Sequence, residues 1–459
     1  MRTQPMLTIP IAFVFVLLSS ISMAAQLNGG RDILRNFIGA VYAPPKGANA
    51  SLGVGWVRMP FYWTGENPWI SVEPQRGVWD WTAADNFVRQ VRERKMQVLP
   101  ILCYTASWAA ATSGKSMAPP KNERDWEDYV EHVVSRYSHA PFDLKYFQVW
   151  NEPTIQAGFW QGETNLDFID QIYLPAAKII RKHHCKVVFG GWPCSNSMQE
   201  LSRELEWHDA WKYTDIIDIH YDPLTDWQYL YDRWIKTGKC EGLWQTEIGF
   251  VSFPNYLPNF YIRVLHWALN HHWRRQNQYK LFWYASWGAG SDGEKCLTQN
   301  GSDGNPVLSP HGTRLSVINS VFGKAPLSDW KGYRIIPPLP PLIDEEQPAS
   351  FGFMSGQSSY IIAMILDKPT LDAHSRIQIE IPMNHSPANM ELELCDGSRI
   401  LRRNIGSNPT VESSESDLDA YYAKKKLHIS IRKDFFKLEE ACHYGHAWNA
   451  SIGYLVVMK

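Results

Sequence analysis

The chain has 459 residues, 44% of them hydrophobic and 20% charged, so it is long enough for two or three domains with sizeable cores. The formal net charge is −2 at pH 7. A balance this close to neutral gives no basic surface for nucleic acid, so no nucleic-acid partner is expected. Aromatic residues make up 13% of the chain. Such an excess is typical of a packed core, and it also suits a cleft whose rings stack on sugars.

The first 25 residues have the pattern of a secretion signal. Arg2 precedes an apolar run from Met6 to Ile21, and small residues allow cleavage after Ala24 or Ala25. We expect residues 1–25 to be removed and the mature chain to be secreted or periplasmic. An uncleaved membrane anchor is the alternative. No later stretch is apolar and long enough to span a membrane, so no span is expected after signal cleavage.

Eight short apolar runs follow between residues 37 and 323. Each is nearly apolar throughout, which predicts strands covered on both faces, as in a parallel sheet. The runs occupy residues 37–44, 54–63, 97–105, 146–153, 186–193, 215–222, 242–250 and 281–288.

Amphipathic stretches with helical spacing separate most of these runs. They occupy residues 82–95, 126–137, 164–184, 197–212, 226–238, 257–274 and 311–322. Only about ten residues separate the first two runs, so the first helix is a turn or two at most. The alternation predicts an α/β fold, a (β/α)8 TIM barrel over 26–326. A doubly wound open sheet is the alternative, but no GxGxxG follows the first strand.

The composition changes after Ala325. A proline-rich passage is followed by short runs such as SRIQIEIP and LHISIRK, whose apolar residues alternate with period two. This pattern predicts a small C-terminal antiparallel β-sandwich domain over 327–459. Such a module either binds carbohydrate or simply packs against its neighbour.

The seven cysteines give no metal or redox spacing of the CxxC type. Cys185 and Cys194 bracket a predicted strand, whose extended length keeps them too far apart to bond. Cys395 and Cys442 are a plausible pair, and the odd count leaves at least one thiol free. Two pairs of adjacent histidines lie on predicted helices, and we interpret them as solvent-exposed surface residues and not as metal ligands. No metal and no cofactor are therefore expected, and the sequence leaves the oligomeric state open.

Two glutamates end predicted strands. Glu152 closes the fourth run in YFQVWNEP, and Glu247 ends the seventh in QTEIGF. The reactive groups of a (β/α)8 barrel sit at the C-terminal ends of its strands, and strands four and seven face each other across the ring. We therefore expect both carboxylates to converge on one ligand. Two opposed carboxyl groups are the equipment of glycoside hydrolysis, with retention at about 5–5.5 Å separation and inversion beyond about 6.5 Å.

These motifs also carry a family resemblance. VWNEP and QTEIGF resemble the acid/base and nucleophile motifs of glycoside hydrolase clan A, the retaining (β/α)8-barrel glycosidases. Three further segments are similar in sequence to families 39 and 42, the β-xylosidase-like and β-galactosidase-like members, and more distantly to family 5. These segments are WVRMPFYW, PWISVEPQRGVWDWTAAD and VLPILCYTASW. The resemblance covers residues 37–323. It implies a retaining O-glycosyl hydrolase that acts on β-linked carbohydrate of plant or algal type.

The resemblance also implies roles for individual residues. Glu152 would be the general acid/base and Glu247 the nucleophile. Asn151 would hold the sugar hydroxyl beside the reacting carbon, and Arg58 would keep the nucleophile ionised, as an opposite charge does. The remaining predicted substrate contacts follow other strand ends and are His220, Tyr221, Trp283, Trp287 and Trp108, with Trp287 favoured over Trp283 as the floor of the sugar site.

Each assignment has a structural alternative. Arg58 could belong to a buried ion pair without a catalytic part, and His220 could be a hydrogen-bonded core histidine. The tryptophans could be core residues, and the two glutamates could serve structural salt bridges.

Two other classes of protein remain open. One is a catalytically inert carbohydrate-binding protein built on the same barrel, against which the joint presence of both glutamates argues. The other is a surface interaction protein in which the sandwich is the working part. The sequence names neither the sugar nor the mode of cleavage, although the long loop over 286–308 favours trimming from a chain end.

Overall fold

The computed structural model describes residues 32–63, 70–250, 253–271, 273, 275–288, 295–340, 349–357, 359–405, 416–438 and 450–458. The predicted signal segment over 1–25 and Cys442 lie outside these ranges. Within the part of the chain that is described, no helix combines the length and the apolar character needed to cross a membrane.

Eight parallel strands form a closed barrel, as predicted. Each pairs with its neighbours in chain order, the eighth pairs with the first, and a single pairing of Val188 with Ile216 closes the ring between strands five and six. The strands, numbered one to eight in this order, are Ile38–Val41, Trp56–Tyr62, Gln97–Cys103, Tyr146–Val149, Lys186–Val188, Ile216–His220, Gly242–Ile248 and Tyr279–Trp283.

Helices cover the outside of the barrel close to the predicted positions. The segment between strands one and two contains only the four-residue helix Asn49–Leu52, as its shortness required. Two longer helices include a π-helical turn, at Ile169–Tyr173 and Tyr231–Ile235. The α-helical segments of the barrel are Asp32–Phe37, Asn49–Leu52, Thr82–Glu93, Glu123–Tyr137, Asn165–Phe168, Leu174–Lys182, Met198–Glu206, Leu224–Leu230, Tyr256–Asn270 and Pro310–Phe322, with a 3-10 helix at Trp207–Tyr213.

Local sequence signals explain where two of these helices begin. The side chain of Asn122 caps the helix Glu123–Tyr137 by accepting the N–H of Arg124. Ser197 and Glu200 form a capping box at the start of Met198–Glu206.

Two apolar layers hold the barrel together. The inner layer fills the barrel below its C-terminal end with side chains from alternating strand positions, whereas the outer layer lies between strands and helices. The inner layer consists of Trp56, Leu99, Val188, Ile216, Trp244 and Phe282, with Tyr146 packed against it.

Two antiparallel sheets follow the barrel, which confirms the predicted fold class. One has six strands in the order Leu327–Asp329, Ser350–Ser355, Ser359–Leu366, Ser451–Met458, Asn389–Leu394 and Ile400–Asn404. The other has four strands in the order Arg334–Ile336, Arg376–Pro382, Lys426–Arg432 and Leu418–Ala423. A shared apolar core joins the two sheets. Short elements outside these sheets are the bridge Trp192–Pro193, the hairpin Thr298–Asn300 and Pro306–Leu308, the helix Lys368–Ala373 and the 3-10 helix Lys433–Phe435.

The sandwich packs directly on the barrel. Phe353 and Tyr454 of the six-stranded sheet lie edge-on against Phe322 of the last barrel helix. The side chain of Asn255 donates a hydrogen bond to the backbone carbonyl of Ala450 at 3.0 Å. The module is thus joined to its neighbour through a continuous apolar contact.

Candidate active site

The backbone after strand four turns two consecutive side chains toward the barrel axis. Trp150 and Glu152 adopt left-handed conformations, with φ of 70° and 47°, which are uncommon for residues other than glycine. The Glu152 N–H donates to the Gly190 carbonyl at 2.8 Å. Trp150 packs outward against Trp126, whereas Asn151 and Glu152 both reach groups inside the barrel.

A bulge in strand seven directs the side chain of Glu247 into the barrel. Ile219 pairs with Gln245, but His220 pairs with Glu247, so Thr246 is the extra residue of the bulge. In a regular strand Thr246 and Glu247 would face opposite sides. Because of the bulge, both side chains point into the barrel.

Arg58 is the centre of the site. It lies on strand two and is 2% exposed. Its guanidinium donates to Gln148 Oε1 at 2.8 Å, to Glu247 Oε2 at 3.0 Å and to Asn151 Oδ1 at 2.6 Å. Three fixed acceptors on one planar cation hold strands two, four and seven in a single geometry.

The two predicted carboxylates meet, as the barrel topology requires. One oxygen of Glu152, one of Glu247 and a ring nitrogen of His220 all lie within 4.8 Å of one another. The side chains of Glu152 and Glu247 keep 15% and 16% exposure, so both remain accessible from the cleft. An approach this close is shorter than the spacing of more than about 6.5 Å that inverting glycosidases keep between their carboxyl groups, and it fits the closer pair of a retaining enzyme.

His220 and Tyr221 each hold one of the carboxylates. His220 Nδ1 lies 2.9 Å from Glu152 Oε1, and the Tyr221 hydroxyl donates to Glu247 Oε1 at 3.1 Å. Both side chains therefore contact the glutamates directly. The core-histidine interpretation of His220 is correct in that it is fully buried and hydrogen-bonded, but its partner is a site residue.

Burial gives the groups of the site different proton affinities. It raises the pKa of Glu152 above its ordinary value, and the nearby charge of Arg58 opposes part of that rise. Burial also lowers the pKa of His220 to about 3, so the imidazole is neutral at ordinary pH. The pKa of Tyr221 is raised by burial and by the charge of Glu247.

Three buried polar residues behind the site were missed in the sequence. Gln148, Asp218 and Thr246 are fully buried within the barrel. Asp218 Oδ2 accepts from Gln148 Nε2 at 2.5 Å and from the Thr246 hydroxyl at 2.6 Å. The available signal was the same that singled out Arg58, namely a polar residue inside an otherwise apolar strand.

The predicted tryptophans do not all reach the site. Trp283 is fully buried and packs on the outer side of strand eight against Tyr261 and His311, so the prediction that it floors the sugar site is wrong. Its inward neighbour Phe282 belongs to the inner core, and alternation along the strand sends Trp283 outward.

Trp287 and Trp108 each pack against another aromatic residue. Trp287 is 37% exposed, lies 6.1 Å from the ring of Tyr42 and lines a cavity of about 540 Å³. Trp108 packs edge-on against Trp63 at 5.3 Å and lies beneath the guanidinium of Arg76. These contacts place Trp108 in the aromatic packing around strands two and three.

Among the described residues, Glu152, His220 and Glu247 are the one group close enough to hold a metal ion. Both ring nitrogens of His220 already face hydrogen-bond partners, Glu152 and Thr246, and Arg58 already neutralises Glu247. The arrangement therefore fits proton chemistry between protein groups, and we do not assign a metal site.

Part of this chain is similar in sequence to known glycoside hydrolases. Residues 64–229 match the model described as Glycosyl hydrolases family 39. The predicted resemblance to family 39 is confirmed. A β-xylosidase from Caldicellulosiruptor saccharolyticus is 32% identical over 80 residues, which are 17% of this chain and 16% of that relative. The aligned stretch is thus a small part of the relative's length.

Solved structures show the same fold. A family 39 glycoside hydrolase from Bacteroides cellulosilyticus WH2 superposes with a TM-score of 0.61 at 13% identity, covering 94% of this chain and 82% of that chain. A glucosidase from Croceicoccus marinus gives 0.59 at 12% identity, over 93% and 96%. A family 39 β-xylosidase from Caulobacter crescentus gives 0.54 at 12% identity, over 93% and 97%. These coverages extend the similarity of fold from the barrel into the sandwich.

Proposed function

We propose that this chain is a retaining β-glycosidase that cleaves β-linked oligo- or polysaccharides by double displacement. The observation that carries the proposal is the approach of one oxygen from Glu152 and one from Glu247 to within 4.8 Å. That spacing suits an acid and a nucleophile that act on the same anomeric carbon. The match to the family 39 model supports the same chemistry.

In the first step, protonated Glu152 gives its proton to the glycosidic oxygen as the bond from that oxygen to the anomeric carbon breaks. The Glu247 carboxylate attacks the same carbon from the opposite face and forms an ester with the sugar. The raised pKa of Glu152 favours the protonated form that this step needs. Arg58 holds the Glu247 carboxylate in line for this attack, because its guanidinium donates a hydrogen bond to Oε2 of that group.

In the second step, Glu152 is ionised and removes a proton from water. The resulting oxygen nucleophile attacks the anomeric carbon, the ester bond to Glu247 breaks, and the sugar leaves with its original configuration. Asn151 Oδ1 accepts a hydrogen bond from Arg58 at 2.6 Å, so the amide nitrogen is the donor of this side chain. One of its two hydrogens is directed at the Tyr104 hydroxyl, and the other would donate to the sugar hydroxyl beside the reacting carbon.

The decisive experiment replaces the acid and varies the leaving group. Glu152→Ala should lower kcat/KM about 10²–10⁴-fold on aryl β-xylosides with poor leaving groups, since these need a proton. It should have little effect on the first step with dinitrophenyl glycosides, which leave unprotonated. Glu163→Ala, an exposed residue in the same loop, is the matched control and should retain full activity. Equal losses of Glu152→Ala on both substrate classes would contradict the assignment.

The inert alternatives are tested by the unmodified protein. We propose aryl β-xylosides as the first substrates, because the relative that aligns over 80 residues is a β-xylosidase, with β-galactosides, β-glucosides and plant or algal polysaccharides completing the panel. Binding without hydrolysis across the panel would identify a carbohydrate-binding protein. Neither binding nor hydrolysis would favour an interaction protein.

We also propose that the mature protein acts outside the cytoplasm. The support is the N-terminal pattern of a charged residue, an apolar run and small residues near Ala24. Mass spectrometry of protein recovered from the medium or periplasm should find an N-terminus at or close to residue 26. Full-length protein retained in the membrane fraction would support the uncleaved anchor instead.

A further inference from the structure

A chain of four side chains leads from the interior of the barrel to the carboxyl group assigned as the acid. It runs from Asp218 through Thr246 and His220 to Glu152. We propose that Asp218 and Glu152 share one proton through Thr246 and His220, so that Asp218 is a positioning residue that sets the protonation state of the acid. This inference rests on the proposed function, since it assigns a control of the same carboxyl group.

Every link of the chain is at hydrogen-bond distance. The Thr246 hydroxyl lies 2.6 Å from Asp218 Oδ2 and 3.1 Å from His220 Nε2. His220 Nδ1 lies 2.9 Å from Glu152 Oε1. Asp218, Thr246 and His220 are each 0% exposed, so water does not compete for these contacts and the protons must be arranged among the side chains themselves.

The surroundings fix both ends of the chain. Asp218 Oδ1 accepts the backbone N–H of Thr246 at 2.9 Å, and Oδ2 accepts from Gln148 Nε2 at 2.5 Å. Gly191 lies against the imidazole, where a Cβ would come within 2.2 Å of His220 Nε2. The ring therefore cannot shift toward that side to find other partners.

One arrangement of hydrogens applies when Asp218 is ionised. Its Oδ2 then accepts a hydrogen bond from the Thr246 hydroxyl. The oxygen of that hydroxyl in turn accepts a hydrogen bond from the Nε2–H of neutral His220. A neutral imidazole has a single N–H, so Nδ1 presents a lone pair to Glu152. That contact is a hydrogen bond only if Glu152 carries a proton.

The opposite arrangement applies when Asp218 is protonated. Its O–H donates to Thr246, the hydroxyl donates to His220 Nε2, and Nδ1–H donates to the carboxylate of Glu152. Both arrangements contain the same number of protons and satisfy the same three contacts. The proton is therefore at one end of the chain or at the other.

The charge around the chain also favours at least one protonated carboxyl group. Three buried or half-buried carboxyl groups, of Asp218, Glu152 and Glu247, surround Arg58 as their cation, and full ionisation of all three would leave repulsion uncompensated. Burial raises the pKa of Asp218 to about 8 and raises that of Glu152. Beyond the chain itself, the titratable and charged groups facing its ends are Arg58, Glu247, Tyr221, Asp222 and Cys194.

The chain would assist both chemical steps. With Asp218 ionised, Glu152 holds the proton that the leaving oxygen needs. Once Glu152 has given it away, its carboxylate faces the lone pair of Nδ1, which makes it a stronger base toward water. The proton taken from water then restores the hydrogen bond to His220.

The test compares variants of the middle and the far end of the chain. Thr246→Val removes the hydroxyl at nearly constant volume, and Thr246→Ser keeps it as the matched control. Asp218→Leu removes the acceptor of the Thr246 hydroxyl hydrogen at similar volume, so this hydrogen turns to His220 Nε2. In both Thr246→Val and Asp218→Leu, the single hydrogen of His220 moves to Nδ1, where it stabilises ionised Glu152 and lowers its pKa.

The expected result is a change in the pH profile of kcat/KM, which reports groups of the free enzyme. Glu152 must be protonated, so activity falls as pH rises through its pKa. For an aryl β-xyloside with a poor leaving group, Thr246→Val and Asp218→Leu should move this alkaline limb about one pH unit lower. Thr246→Ser should retain the limb of the parent protein. On a dinitrophenyl xyloside, kcat/KM reports a first step that needs no proton, so in Thr246→Val it should change less than twofold.

An alkaline limb that does not move in either variant would overturn the proposal, as would an equal shift in Thr246→Ser, which would show a packing effect. A second measurement needs neither activity nor a variant. Carbon-13 NMR of labelled carboxyl groups in the full chain should show Asp218 and Glu152 titrating as a coupled pair, and independent titration would overturn the proposal. If the parent protein hydrolyses no glycoside, the proposed function fails, while the NMR result still decides the shared proton.

Discussion

Replacing Arg58 by methionine tests whether the site depends on one buried cation. Arg58 and Glu247 have side-chain exposures of 3% and 16%, so the substitution leaves a largely buried carboxylate without its counter-charge. Removing one partner of a buried ion pair costs about 3–5 kcal/mol. The cleft still hydrates Glu247 in part, which lowers this cost, but Gln148 Oε1 also loses its donor inside the barrel. We expect Arg58→Met to lower the free energy of unfolding by about 4 kcal/mol.

Urea denaturation followed by tryptophan fluorescence measures this loss. Arg89→Met is the matched control, because Arg89 is 52% exposed and pairs with Asp85 on the barrel surface. Asp85 keeps its second partner Arg136 at 2.6 Å, so the control should cost about 0–1 kcal/mol. Equal costs for the two variants would refute the view that Arg58 holds the strands around the site.

Two further predictions concern a hydroxyl group and a buried acid. Tyr221→Phe removes a hydrogen-bond donor to the Glu247 carboxylate. Glu247 regains its negative charge when the glycosyl ester breaks, so the second step should slow about tenfold without this donor. With dinitrophenyl glycosides, the variant should then show a product burst and a lower KM. Glu204→Gln should stabilise the protein increasingly as pH rises. Burial raises the pKa of Glu204 from 4.5 to about 9, so the unfolded state loses a proton that the folded state keeps, and stability falls by about 1.4 kcal/mol per pH unit in that window.

Both predictions have clear contrary outcomes. Tyr221→Phe without a burst, and with kcat and KM unchanged, would show that the hydroxyl does not assist release of Glu247. For Glu204, urea denaturation from about pH 5 to about pH 8 gives the comparison, and Glu206→Gln on the exposed side of the same helix is the control. A stability difference between Glu204→Gln and the parent that is constant with pH would exclude a buried titrating carboxyl group.

Much of the fold could be predicted from periodicity and position along the chain. Strands buried on both faces have long apolar runs, and helices have a 3.6-residue pattern, so the barrel units follow from local sequence. The meeting of Glu152 and Glu247 was predictable because ring closure alone brings strands four and seven to opposite sides of one cleft.

The details that complete the site depend on backbone conformations without a sequence signal. The left-handed conformations of Trp150 and Glu152 use residues that seldom adopt positive φ. The bulge at Thr246 has no glycine or proline to mark it. Alternation of side chains along strand eight correctly places Trp283 on the outer face. The prediction instead followed the rule that functional residues lie at strand ends, which wrongly placed Trp283 in the cleft.

The docking of the sandwich on the barrel has a practical consequence for protein engineering. The final strand Ser451–Met458 lies inside the six-stranded sheet between Ser359–Leu366 and Asn389–Leu394, so the last residues of the described chain complete a layer that covers barrel helices. A shortened version ending near residue 326 would leave Phe322 and its neighbours uncovered, a surface prone to self-association. Chimeras that exchange catalytic modules should therefore retain the pair as one unit.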